Sequence, residues 1–303
     1  MAEKKLNLLA DFPAVSTQEW MDKITADLKG ADFNKKLVWK TNEGFNVMPF
    51  YRAEDIENLK TTDVVPGKFP YVRGTKPNNE WLVRQDIEVT DITQANAKAL
   101  DVLCKGCTSL GFILNKQDVT EAAIANLLQN IEAPAVELNF IVCASKSADL
   151  AFILTDYFKS KEYDLKTVKG SIMVDPIHRM LTSGKDLSVE EITQNCKHAV
   201  MAVKELPHFR VLNVNAVDLS NAGAFNAQEL GYALAWGNQY LSMMVDAGVE
   251  TSIAAKKIKF NFGVSGNYFM EIAKFRAAKL LWANIVDAYQ GKCLKDNCSH
   301  TEE

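Results

Sequence analysis

No uninterrupted apolar run in these 303 residues approaches the roughly 20 needed to cross a bilayer, and the opening MAEKKLNLLADF lacks the apolar core of a secretory leader. No membrane association is expected, and the location expected is cytoplasmic. Also missing is any basic stretch interleaved with aromatics. With a net charge of −4, a nucleic-acid footprint is not expected. There is no glycine-rich phosphate loop, nucleophile elbow or HExxH pattern, and GVSG at 263–266 carries too few glycines for a dinucleotide fingerprint. The six cysteines lie in a large chain without a secretory signal, where thiols normally stay reduced. Cys104 and Cys107 form a CxxC, but no second pair or nearby histidine completes a zinc set, so they read as small apolar side chains at a helix end and a strand start. Cys293, Cys298 and His300 in the polar tail form the other, weaker metal pattern.

What is present is apolar content for a substantial core, at 48% hydrophobic against 24% charged residues. Residues 1–80 read as an N-terminal region. Ser16 or Thr17 opens a docking helix with Trp20, Ile24 and Leu28 on one stripe and Gly30 at its end, followed by extended segments with turns. From Trp81 to Tyr289 the chain alternates. Strands are expected at 82–89, 109–115, 135–143, 170–175, 210–219 and 257–264. Helices are expected at 91–104, 119–131, 147–161, 189–205 and 226–247. Such alternation favours a parallel sheet with helices outside, because parallel neighbours need crossover connections. The expected fold is α/β, an incomplete TIM (β/α) barrel of about six βα units, two short of the full eight, with residues 290–303 as a polar tail. A sheet of that kind leaves edge strands that attract a partner.

The last unit, 257–289, is the most informative. Ile258, Phe260 and Phe262 alternate with Lys257, Lys259 and Asn261, Gly263 and Gly266 mark the turn, and Asn267 can cap a long helix. In that helix Met270, Ala273, Ala277, Leu281 and Ile285 form the expected core stripe, with Glu271, Lys274, Arg276 and Lys279 as polar flanks.

Reacting groups in barrels sit at the carboxyl ends of strands, which points to Glu88, Asn115, Ser145, Asp175, Asp218, Asn221, Ser265 and Asn267. Asp175 and Asp218 follow strands that can be neighbours and form an acid/base pair, although Asp and Asn are also common there as loop and cap residues. His198 falls within a helix and His208 in the turn after it. His178, on the loop after Pro176, is the one serious general-base candidate, and the favoured reading places it on the surface.

The string SGNYFMEIAKFRAAKLLW at 265–282 resembles the corresponding strand and helix of methylmalonyl-CoA mutases, cobalamin-dependent isomerases built on a TIM barrel. WKTNEGFNVMPFY at 39–51, PYVRG at 70–74, WLVRQ at 81–85 and NAGAFNAQELGYALAWGNQYL at 221–241 extend the resemblance over most of the chain, in the family's order. Departures from the family's catalytic pattern are equally informative. Catalytic subunits follow VRG with a tyrosine-rich segment, whereas TKPNNE alone separates Gly74 from Trp81 here. Their strand ending SGYHMQEAGA supplies a histidine to the thioester carbonyl; this chain reads NAVDLSNAGA, with Asp218 at that position, and an ionised carboxylate cannot donate to an oxyanion. The TIQND segment is replaced by GSIMVDPIHRM, and neither DxHxxG nor its flavodoxin-like domain is found. Arg84 and Ser109 match substrate-contacting positions.

The resemblance thus implies the small, non-catalytic type of subunit in a heterodimeric mutase. Its partner is the catalytic large subunit, which holds adenosylcobalamin and interconverts succinyl-CoA and methylmalonyl-CoA; this chain holds no cofactor, and no catalytic or metal residue is assigned to it. The alternative is a mutase-type barrel with its own isomerase activity that binds acyl-CoA through Arg84, Ser109 and Asp218.

Overall fold

Six segments of period-two alternation become six parallel strands in the computed structural model, which describes residues 12–184 and 186–290. The chain divides into two compact units at Thr62/Asp63.

In the first unit α1 (Thr17–Asp27) begins at Ser16, whose hydroxyl accepts from the Glu19 amide while the Glu19 carboxylate accepts from the Ser16 amide, a reciprocal cap. Then come α2 (Phe33–Lys36), the two-stranded antiparallel ribbon β1 (Trp39–Lys40) and β2 (Asn46–Val47), and α3 (Ala53–Ile56). None of the three helices has a buried residue, and Trp20, Trp39, Phe45 and Tyr51 are all exposed.

The second unit runs β3 (Arg84–Glu88), α4 (Ile92–Cys104), β4 (Ser109–Ile113), α5 (Glu121–Leu127), β5 (Glu137–Ile141), α6 (Ser147–Ser160) and β6 (Gly170–Val174). It continues through α7 (Pro176–Ser183), α8 (Val189–Ala202), β7 (Phe209–Asn215), α9 (Val217–Asn221), α10 (Asn226–Asp246), α11 (Thr251–Lys256), β8 (Ile258–Asn261) and α12 (Tyr268–Gln290). The strands pair in chain order, β3-β4-β5-β6-β7-β8, so the sheet is open at β3 and β8 among the described residues. This is the α/β fold expected, with its sheet not closed.

Strand parity separates two chemistries. Ile87, Leu110, Phe112, Leu138, Phe140, Ile172, Leu212 and Val214 are buried and join a core with Ala99, Ile124, Leu150, Leu154, Phe158, Val200 and Tyr240 of the surrounding helices. The alternate positions, Arg84, Asp86, Ser109, Glu137, Asn139, Ser171, Asn213, Lys259 and Asn261, are polar.

The sheet is curved. Lys259 Nζ on β8 donates to Asn139 Oδ1 on β5 at 3.0 Å and to Ser171 Oγ on β6 at 3.1 Å. In a flat sheet β8 and β5 would lie three strand spacings apart, roughly 14 Å, beyond the reach of a lysine side chain. The polar positions are therefore on the concave face and the apolar ones face the helices.

Several expected spans change. The expected strand through Leu219 stops at Asn215, where pairing with β8 ends at Asn261, and the chain turns into α9, so Val217 and Asp218 are helical. The helix expected at 119–131 shortens to α5, because Val119 closes the 3₁₀ turn Lys116–Asp118, Thr120 caps the helix start and Leu128 is its C-cap. The helices α7 and α11 were not anticipated.

On α12 the expected stripe is displaced by about one position. Ala273 and Leu281 are exposed, whereas Glu271, Lys274, Ala278, Ala283 and Val286 are buried. Glu229 of α10 draws Lys274 inward: Lys274 Nζ lies 2.6 Å from Glu229 Oε2, 2.7 Å from Glu271 Oε2 and 2.7 Å from the Gly263 carbonyl. Glu229 also accepts from the Gly263 amide, and Glu271 from the amide and hydroxyl of Ser265. Burial opposes ionisation of Glu271, but Lys274 and Ser265 outweigh it and hold the carboxyl below its usual range. Gly263 fits because a Cβ there would come within 2.5 Å of Ser220 Oγ. Three charges thereby lock the turn after β8 to two helices.

Replacing Lys274 by Met leaves two carboxylates buried together. The expected loss in urea-unfolding stability is about 3–5 kcal/mol, and a loss below about 1 kcal/mol contradicts this account.

Candidate functional site

Two polar clusters stand out in the second unit, one on the concave face of the sheet and one at its carboxyl rim. The first is the lining of the sheet itself. Arg84 Nε pairs with Asp86 Oδ1 at 2.6 Å, both on β3. Gly111 on β4 makes room for that pair, since a Cβ there would lie 1.8 Å from Asp86 Oδ1. Ser109 is fully buried; its hydroxyl donates to Glu137 Oε2 at 2.6 Å and accepts from Asn139 Nδ2 at 3.0 Å. Asn139 Nδ2 also reaches Glu137 Oε2 and the Leu110 carbonyl, while Asn139 Oδ1 accepts from Ser171 Oγ at 2.6 Å and from Lys259.

The electrostatics follow from burial and neighbours. Desolvation alone would raise Glu137, but hydrogen bonds from Ser109 and Asn139 and the charges of Lys259 and Arg210 more than offset it, so its carboxyl sits below the ordinary range. Burial, aided by the Arg84 charge, pushes the Lys259 ammonium down to about 8. Polar atoms from Ser109 to Lys259 are thus committed to one another.

The second cluster stands at the carboxyl ends of β6 and β7. Asp175, only 7% exposed, accepts from Tyr240 Oη at 2.6 Å, from the His178 amide at 3.0 Å and from the Asn215 amide at 3.1 Å. Pro176 follows as the first residue of α7, so Asp175 is also that helix's cap. The Tyr240 hydroxyl in turn accepts from the Ile177 amide at 3.2 Å. Through one carboxylate the start of α7, the end of β7 and the middle of α10 are fixed together. His178 Nδ1 then lies 2.6 Å from Asp218 Oδ2, and Asn215 Nδ2 donates to the same oxygen at 2.9 Å.

The sequence-derived candidates divide accordingly. Asp175, His178 and Asp218 come together, although the two aspartates are joined through His178 and Asn215 rather than directly. The surface placement of His178 is corrected: its side chain is 27% exposed and turned against Asp218. Arg84 and Ser109 are register partners on the concave face, while Asp218 stands on α9. Asn115 caps the 3₁₀ turn after β4, Ser145 contacts Cys143, Ser265 binds Glu271, and Glu88, Asn221 and Asn267 are exposed. Cys104 ends α4 and Cys107 lies in the turn before β4, both as free thiols. Cys293, Cys298 and His300 fall outside the described residues, among which no cluster of three metal-ligating side chains occurs.

Sequence reasoning missed Glu137, Asn139, Ser171 and Asn215. The available signal was polar residues recurring at alternate positions in strands that otherwise read as buried.

Comparison with known proteins adds identity to this geometry. The sequence profile described as methylmalonyl-CoA mutase matches residues 40–119 and 118–298. The chain is 54% identical over 290 residues to a methylmalonyl-CoA mutase small subunit of Porphyromonas gingivalis, covering 95% of this chain and 47% of that protein. A small subunit of Streptomyces virginiae is 28% identical, over 93% of this chain and 47% of its own length. The large subunit from that organism is 25% identical, over 93% and 42%. The chain spans about half the length of the curated relatives it matches.

Folding raises the proton affinity of Asp175, because burial outweighs its hydrogen bonds and pushes the carboxyl from 3.8 to about 6. Between these values the native chain binds more protons than the unfolded one, so this residue's contribution to stability falls as pH rises through that window. The stability of the wild type minus that of Asp175→Asn, measured by urea titration across that window, is expected to drop by up to about 3 kcal/mol. A flat or rising difference contradicts the assignment.

Proposed function

The chain belongs to the methylmalonyl-CoA mutase family, and from that premise we propose that it is part of a small subunit with a structural role. In this reading it assembles in the cytoplasm with a catalytic large subunit that carries adenosylcobalamin and interconverts succinyl-CoA and methylmalonyl-CoA. Radical rearrangement is chemistry that the cofactor supplies when bound, and the protein around it contributes binding, orientation and exclusion of water.

The observation that carries the proposal is the committed concave face. Ser109 Oγ is hydrogen-bonded to Glu137 and Asn139, Arg84 is paired with Asp86, and Lys259 spans from β8 to β5. Groups already satisfied by one another have little left to offer a thioester. For the same reason this face, with Ser109, Glu137, Asn139, Ser171 and Lys259 bonded to one another, does not fit the cofactor. The first unit supports an assembly role: its exposed Trp20, Trp39, Phe45 and Tyr51 are the large aromatic residues that anchor protein interfaces. The free thiols Cys104, Cys107, Cys143 and Cys196 suit a reducing compartment.

The full-length subunit containing this chain is expected to co-elute with the catalytic subunit on size exclusion. Alone, supplied with adenosylcobalamin and succinyl-CoA, it is expected to form no methylmalonyl-CoA and to give no saturable heat in calorimetry. Separate elution or turnover by this subunit alone contradicts the proposal. Saturable heat that disappears in Arg84→Ala supports instead an acyl-CoA site built on Arg84, Ser109 and Asp218.

A further inference from the structure

Two free thiols stand in one turn at the end of α4. Cys104 is the last residue of that helix and is exposed, Cys107 is half-buried, and Lys105 and Gly106 between them are exposed. The reading of the pair as small apolar side chains is therefore corrected for Cys104, which is not buried. The backbone holds the turn: the Gly106 amide donates to the Leu103 carbonyl at 3.2 Å and the Cys107 amide to the Val102 carbonyl at 3.1 Å, the two bonds of a Schellman ending. Gly106 takes the left-handed φ of 100° that this ending requires.

That geometry brings the two cysteines within bonding range. In a four-residue turn the separation of the outer Cα atoms is set by the ψ of the second residue and the φ of the third, here 7° at Lys105 and 100° at Gly106. With Cα steps of about 3.8 Å, these angles place the Cα atoms of Cys104 and Cys107 roughly 6 Å apart, inside the window of about 4.4–6.8 Å that disulfides use. The Cys104 side chain stands in water, so its rotamer can change to meet Cys107. Zinc has no such support, because no cluster of three metal-ligating side chains occurs among the described residues.

We propose that Cys104 and Cys107 form a reversible thiol–disulfide exchange site whose co-substrate is a low-molecular-weight disulfide of the glutathione type. Cys104, the more exposed, attacks first as its thiolate. A bond forms from Cys104 Sγ to one sulfur of the small disulfide, whose own S–S bond breaks, and the leaving thiolate takes up the proton that Cys104 gave up. Cys107 then attacks Cys104 Sγ, the mixed disulfide breaks, and the second small thiol leaves with the Cys107 proton. Two protein thiols are oxidised, and one small disulfide is reduced to two thiols. In a reducing compartment the pair rests open, and a rise in small disulfide closes it. The turn precedes β4, at the opposite end of the strands from Asp175, and the exchange is independent of the scaffold reading.

Trypsin cuts after Lys105 and so separates the two cysteines into peptides 99–105 and 106–116, while Cys293 and Cys298 fall in others. The full-length subunit is equilibrated with oxidised glutathione, remaining thiols are blocked with iodoacetamide, and the digest is read by mass spectrometry without reduction. Peptides 99–105 and 106–116 are expected joined by a disulfide, and dithiothreitol added before blocking is expected to part them. In Cys107→Ser the exchange is expected to stop after its first step, leaving glutathione on Cys104, whereas the wild type keeps no lasting adduct there. Two intervening residues give Cys107 an effective concentration of about 1 mM, so at about 1 µM protein a non-reducing gel is expected to show dimers linked through this pair roughly a thousandfold rarer than the closed monomer. Unjoined peptides, a lasting adduct on the wild type, no adduct on Cys107→Ser, or joining only between chains overturns the proposal.

Discussion

The reach of Lys259 across the sheet is the constraint on which the rest of this structure depends. One ammonium on β8 bonds to β5 and β6, which requires the sheet to curl and makes its polar side an interior. Once curled, that side favours pairing of its donors and acceptors, and Ser109, Glu137, Asn139 and Ser171 close on one another around the lysine. The apolar side is thereby committed to the helices, and the period-two code of the strands becomes two layers with different chemistry.

A similar principle acts at the sheet's carboxyl rim. Asp175 and the Glu229–Lys274–Glu271 cluster are buried charged groups that join a strand end to helices from distant parts of the chain. Buried charge is a poor source of net stability but a strict one of geometry, because each group demands its partners at hydrogen-bond distance. That is why α12 turns Glu271 and Lys274 inward against its apolar pattern. It is also why the backbone of His178, on a short helix after β6, is tied through Asp175 to the end of β7.

The six strands and the helices between them were legible in the sequence because alternation of period 2 and period 3.6 is local. So was the start of α1 at Ser16 or Thr17, between which the reciprocal bonds of Ser16 and Glu19 decide for Ser16. The lost detail was nonlocal. Leu281 looked like a core residue because its helical spacing is right, and only the position of Glu229 on α10 decides otherwise. His178 looked like a surface residue because nothing near it in sequence signals that Asp218, forty residues on, folds back beside it. The end of β7 was overrun because NAVDL continues the apolar alternation, whereas the partner strand β8 stops at Asn261. The resemblance to mutases flagged Arg84, Ser109 and Asp218 one by one, but it did not show that Arg84 and Ser109 are already occupied by their neighbours.

The most direct measurement of the central claim is the titration of the Lys259 side chain by nitrogen-15 NMR in the folded chain. Enclosure in a curled sheet, beside the charge of Arg84, predicts a midpoint of about 8. A midpoint at the ordinary lysine value of 10.5 would mean that the ammonium stands in water, that the sheet is not drawn closed around it, and that the committed interior does not exist.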